Sequence, residues 1–299
     1  MSVINKVVLG TLPLVPRPIM RRLAARYIAG ETLGEAVARL ESLRQRGFPG
    51  IIDVLGEGIA NEAEARAVVK HYQEAATAVA AAKLDCYVSV KPTHVGLSIG
   101  EDLCFELYSA VAQHARSLGL FLRVEMEDAP TTDGTLRVFE RLRARFDNVG
   151  IVLQARLFRT LKDIDALAPG PLDVRMVKGI YLEPASIAHT EPGPIRDAYV
   201  QCVEKLVARG AKLSLATHDE HLAERCLAVL RKAGRKRETY EFQVLMGVRE
   251  ELWADWQSKG HIVRVYVPFG PDWRAYSQRR MRKNPQILRH VMRNMVGLK

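Results

Sequence analysis

Eight short apolar runs recur along the 299 residues, and this cadence limits what the chain can fold into more than any single motif does. They read GIIDVLGE (50–57), YVSVKP (87–92), FLRVEME (121–127), VGIVLQA (149–155), DVRMVKG (173–179), KLSLATH (212–218), YEFQVLMG (240–247) and RVYVPFG (264–270). Most gaps between them carry apolar residues at three- and four-residue spacing, as in GEDLCFELYSAVAQHARSLG and IRDAYVQCVEKLVARG, which is helical. Strands that alternate with helices pair in parallel, because each crossover needs a helix to return the chain and cover the sheet. Eight such units predict an α/β chain folded as a closed (β/α)8 TIM-like barrel, with a doubly wound open sheet as the competing arrangement. Thr32 and Glu35 have the spacing of a capping box, and Val37, Leu40 and Leu43 stripe the helix that follows, so a helical extension should precede the first strand. A further helix is expected after the last strand. No linker rich in Gly, Pro and Ser interrupts the pattern, so residues 1–299 are expected to form one domain.

The polar residues are placed informatively. The runs end in Lys91, in Glu125 and Glu127, in Gln154, in Lys178, in Thr217 and His218, and, at the last run, Tyr266. In a parallel barrel every C-terminal strand end points to one mouth, where such folds carry their chemistry.

Composition narrows the function. A net charge of +10 fits a soluble protein with basic helix faces, an anionic ligand or an acidic membrane surface. Cys86, Cys104, Cys202 and Cys226 stand far apart with no CxxC pair, which argues against a zinc knuckle or disulfide framework and for a reducing, cytoplasmic setting. The N-terminal VVLGTLPLVP contains a Pro and lacks a cleavage pattern, so no signal peptide is expected, and no run nears the roughly 18 apolar residues of a membrane span. HDEH at 218–221 lacks a partner cluster for a metal, and no GxSxG, GxGxxG or GxxxxGK[ST] occurs. Lys91 or Lys178 at a strand end could serve as a Schiff-base nucleophile. After the last run, Tyr276, Arg279 and Arg280 share one helix face, which suits a carboxylate clamp; a basic helix end or a nucleic-acid patch are the other readings.

In their order, IIDVLGE, SVKPT, VEMED, GIVLQA, RMVKGIYLEPA, LATHDE, EFQVLMGVR and YVPFG followed by YSQRR resemble the proline dehydrogenase family, from YIAGET at 27–32 to RRMRKNP at 279–285. The resemblance implies FAD-dependent oxidation of L-proline to Δ1-pyrroline-5-carboxylate by hydride transfer to flavin N5, the first step of proline catabolism to glutamate. It implies that Lys91, Arg279 and Arg280 bind the substrate carboxylate and that Tyr181, Tyr266 and Tyr276 surround its ring. Arg175 would lie beside flavin N5 with Glu125 near it. Met126, Gln154, Lys178, Gly179, Ile180, Thr217 and His218 would hold FAD. A membrane quinone is implied as electron acceptor, with the protein peripheral at the inner membrane face and no nucleic acid bound; the sequence carries no signal for oligomeric state. Three positions depart from the family pattern: Glu125 stands where Asp is usual, Ile180 where a small residue is, and Arg156 where Tyr is. Hydroxyproline or another cyclic secondary amino acid therefore stands as the alternative substrate, and a Schiff-base lyase on the same barrel as the alternative chemistry.

Overall fold

In the computed structural model, residues 17–56, 58–274 and 276–277 are described. The elements alternate as the spacing predicts. Helices α1 (Arg17–Ala24) and α2 (Leu33–Gln45) lead into β1 (Gly50–Val54), followed by α3 (Glu62–Ala81), β2 (Cys86–Val90), α4 (Glu101–Ser117), β3 (Leu122–Val124) and α5 (Thr132–Arg143). The chain continues through β4 (Val149–Gln154), α6 (Thr160–Ala166), β5 (Asp173–Val177), α7 (Pro192–Ala208), β6 (Lys212–Ala216), α8 (Glu220–Lys232), β7 (Tyr240–Leu245), α9 (Glu250–Ser258) and β8 (Val263–Phe269). All eight strands pair in parallel in sequence order, and β1 closes on β8 with Gly50 opposite Val265. The barrel expectation holds, and the open sheet is excluded.

Period-2 alternation decides what each strand residue meets. One set, including Ile52, Val88, Val124, Ile151, Val174, Leu213, Phe242 and Val265, packs into the shell beneath the helices at 0% exposure. The other set faces the lumen, which hydrogen bonds between non-neighbouring strands prove: Arg175 on β5 reaches Tyr87 and Ser89 on β2. Such partners can meet only through the interior. At the N-terminal end, the floor, Arg123 donates to Ser214 Oγ, to the carbonyls of Ile151 and Asp173, and to Asp173 Oδ1 at 2.5 Å. Gly150 makes room for it, because a Cβ there would lie 2.4 Å from Arg123 Nη1 and 2.6 Å from the Asp173 carbonyl. Arg264 fills the adjacent space, bonding both oxygens of Glu241 at 3.0 Å.

The leading extension is tied to the end of β8. Thr32 caps α2 reciprocally with Glu35, Ala29 N–H donates to Pro268 O at 2.9 Å, and Gly270 N–H donates to Gly30 O at 3.1 Å. A helical turn begins after β8, where Ser277 Oγ donates to the Trp273 carbonyl at 2.7 Å. Arg279, Arg280 and the rest of the expected C-terminal helix lie outside the described residues.

Candidate active site

Arg175 organises the upper lumen. Its Nε donates to Gln243 Oε1 at 2.5 Å, its Nη1 to Glu125 Oε1, and its Nη2 to the Tyr87 hydroxyl at 3.3 Å. The guanidinium carbon stands 5.3 Å from the centre of the Tyr266 ring, a cation over an aromatic face. Glu125 also accepts from the Ser89 hydroxyl. Burial pushes the Glu125 carboxyl up, but Arg175 and Ser89 outweigh it and hold the group ionised below its usual range. The pair is therefore charged, buried and oriented on several sides.

A second buried pair lies beside it. Lys91 Nζ donates to Asp53 Oδ1 at 2.6 Å, with the Lys91 side chain 10% exposed and that of Asp53 1%. Burial pulls Lys91 down, yet the Asp53 carboxylate outweighs it and keeps the ammonium above its ordinary value. A lysine held protonated is a poor Schiff-base nucleophile, because carbinolamine formation needs the free amine. Tyr266 lies near the Asp53 carboxyl, whose Oδ2 makes no well-formed hydrogen bond. The expectation that Tyr266 ends its strand is corrected: it pairs mid-strand with Ile51 and Leu245, because β8 runs on to Phe269. Tyr276 packs in a small apolar cluster with Met20, Ala24, Ile28, Leu55 and Trp273, at the rim where the extension meets β8.

The remaining expected residues gather above β4 to β6. Gln154 Nε2 donates to the Glu127 carbonyl at 2.5 Å. Glu127 itself accepts from the Thr93 backbone and hydroxyl, which ties the loops after β2 and β3 together. Gly179 sits at φ +95, where a Cβ would lie 2.8 Å from Gln154 Oε1, so only glycine lets the backbone approach this closely. Lys178 Nζ and Arg196 Nε both donate to Asp219 Oδ2 at 2.6 Å. Burial pushes the Asp219 carboxyl up, but these two cations hold it well below the carboxylate range. Two positive groups on one carboxylate leave one positive charge in excess, which suits an anion. Thr217 accepts from Asp219 N–H at 3.1 Å, and His218 Nε2 accepts from Leu245 N–H at 2.9 Å. Ile180 and Leu182 stand 62% and 89% exposed beside these groups, an apolar surface next to a cationic one. That donor set fits a planar ring system with an anionic tail. Met126 departs from the others: its side chain packs in the shell core, which leaves only its backbone for the mouth. Arg156, the departure from the family pattern, donates through Nη1 to the Tyr181 carbonyl and fixes the start of the exposed segment.

Several site residues escape a reading of strand ends. Asp53 was signalled by a lone carboxylate inside the apolar run IIDVL, while Tyr87 with Ser89 and Glu241 with Gln243 were signalled by polar residues two apart. Arg196 carries no comparable signal, since it stands in a helix where charge is ordinary, and Asp219 reads as the cap at the start of α8.

Comparison with known proteins agrees with this architecture. The proline dehydrogenase family model matches residues 36–292. The chain is 34% identical over 288 residues to a proline dehydrogenase of Deinococcus radiodurans, covering 94% of this chain and 92% of that protein. It is 31% identical to proline dehydrogenase 1 of Bacillus subtilis subsp. natto, over 91% and 90% of the two chains. In fold it matches the crystal structure of proline utilization A from Bdellovibrio bacteriovorus inactivated by N-propargylglycine, with a TM-score of 0.81 at 24% identity, covering 87% of this chain and 32% of the larger one. The chain belongs to the proline dehydrogenase family.

Proposed function

We propose that this chain oxidises L-proline to Δ1-pyrroline-5-carboxylate with FAD as cofactor. The observation that carries the reading is the convergence of two buried ion pairs, Arg175 with Glu125 and Lys91 with Asp53, at the mouth of a barrel of this family. FAD, when bound, supplies the two-electron acceptor for the hydride that leaves the ring carbon beside nitrogen. Gln154, Lys178, Gly179, Ile180, Thr217, His218 and the Met126 backbone would hold it, with Asp219 keeping Lys178 in place. The surplus cation above Asp219 suits a pyrophosphate, and the exposed Ile180 suits a ring face.

The chain's own residues orient the substrate. Lys91, kept protonated by Asp53, offers its remaining N–H donors to the substrate carboxylate, and Arg279 and Arg280 would complete that clamp with planar forks. Tyr266, Tyr181 and Tyr276 would enclose the ring. Clamping the carboxylate fixes where the reacting carbon sits, which is the main contribution a protein makes to a hydride transfer. Electrons would pass to a membrane quinone from a protein peripheral to the membrane; no described helix is long and apolar enough to cross one.

The test uses purified protein supplied with FAD, L-proline and a quinone-like dye. Dye reduction with release of a trappable imine is the expected result. Reduction with trans-4-hydroxy-L-proline alone would move the assignment to the alternative substrate, and no reduction with either would refute it.

A further inference from the structure

Gln243 lies on β7, between Ala216 of β6 and Arg264 of β8, and is 3% exposed. It stands two residues after Glu241, so both side chains point into the lumen. Its amide makes three short contacts. Oε1 accepts from Arg175 Nε at 2.5 Å, and Nε2 donates to the Tyr87 hydroxyl and to Glu241 Oε1, each at 2.5 Å. The polarity of this bridge is fixed by its neighbours: a guanidinium N–H can only donate, and an ionised carboxylate can only accept. A primary amide is the side-chain group that meets both demands without adding charge. A glutamate here would face Glu241, and a lysine would face Arg175.

Glu241 is itself clamped by Arg264, which also reaches Asp85 Oδ1 at 2.8 Å and the Gly50 carbonyl at 3.2 Å. A continuous line of directed bonds thus runs from the floor of the barrel through Gln243 to the guanidinium at its mouth. We infer that Gln243 is a positioning residue for Arg175, setting the plane of its guanidinium from below while leaving Glu125 as the one carboxylate among the described residues bonded to it. The inference rests on the flavin-dependent reading above. A guanidinium whose charge is offset by a single carboxylate favours electron density arriving nearby, and its fixed plane aims that charge at one place.

The experiment compares the FAD-loaded parent with Gln243→Glu and Gln243→Met. The readouts are the flavin midpoint potential, by equilibration with a reference dye, and the rate of flavin reduction by L-proline. Gln243→Glu puts a second carboxylate on Arg175, so the potential should shift negative and reduction should slow roughly 10–100-fold, with KM for L-proline nearly unchanged. Gln243→Met, close in size but without the amide, should slow reduction with a smaller shift in potential. If Gln243→Glu fails to fold, Gln243→Met carries the same test. Variants that lose thermal stability but keep the parental potential and reduction rate would overturn the proposal. A parent that L-proline leaves oxidised would instead refute the reading beneath it.

Discussion

Among the described residues two buried ion pairs lie at each end of this barrel, yet the two ends are built differently. At the floor, Arg123 and Arg264 spend their donors on carboxylates and backbone carbonyls, and both stack near the Tyr87 ring, at 5.7 Å and 5.1 Å. At the mouth, Lys91 Nζ has Asp53 as its one side-chain partner among the described residues, and Arg175 is held from below and one side with the Tyr266 ring over it. Buried ion pairs gain little net stability unless their remaining hydrogen bonds are satisfied. The floor meets that condition with protein groups for every buried guanidinium nitrogen but Arg123 Nε, and so serves as filling. On the proposed function, the donors that Lys91 keeps at the mouth serve an incoming anion. A cavity of about 210 Å³ also opens at the floor end, lined by Leu40, Arg44, Phe48, Pro49, Leu84 and Asp85, but Asp85 there is already paired with Arg264.

Substitution at the mouth should give the largest effect and the sharpest contrast. Arg175→Lys keeps the charge but loses the fork, so turnover should fall on the order of a hundredfold while circular dichroism stays parental. Unchanged turnover would break the distinction between the ends. Arg123→Met at the floor should do the reverse, because it strands Asp173 without its close cation. Urea unfolding should report a loss of about 3–5 kcal/mol, with KM unaltered in the folded fraction.

Acid should weaken the mouth end in a predictable direction. His94, 6% exposed with Nδ1 3.0 Å from the Tyr72 hydroxyl, is held down to about 3 by burial first and then by Lys91. Its folded value lies below the ordinary histidine value, so its contribution is complete above about pH 6.5 and is lost as pH falls toward the folded value. Stability should drop by about 1.4 kcal/mol per pH unit across that window, and His94→Gln should flatten the slope. Glu125, also depressed, acts with the same sign at lower pH: its contribution is present above the ordinary glutamate value and fades as pH falls. The smallest effect belongs to neither end. Thr32→Ala removes the cap of α2 and should cost about 1 kcal/mol in thermal unfolding, leaving kinetics untouched.

Much of the barrel was legible because its signal is periodic. Eight runs, the helical gaps and the Thr32 cap each follow local rules that the fold obeys. Strand ends were less exact: β3 pairs only over Leu122–Val124, so Glu125 stands just beyond it, its N–H still donating to Val90 O at 2.9 Å. Lys91, Glu125, Gln154 and Lys178 were found because a charged or amide group closing an apolar run is locally unusual. Asp53, Ser89 and Gln243 are hidden because runs such as YVSV and YEFQVL pass for uniformly apolar, although their alternate positions face a polar lumen. The joint hold of Lys178 and Arg196 on Asp219 needed coordinates, since nothing local ties residues 178, 196 and 219 together.

The central claim is that the mouth holds a flavin over a clamped amino acid. The most direct test is the visible spectrum of the FAD-loaded protein, recorded without oxygen before and after addition of L-proline. Loss of the yellow absorbance, with D-proline leaving it intact, is the predicted result. A flavin that stays oxidised with L-proline, or a folded protein that takes up no FAD, would contradict the account.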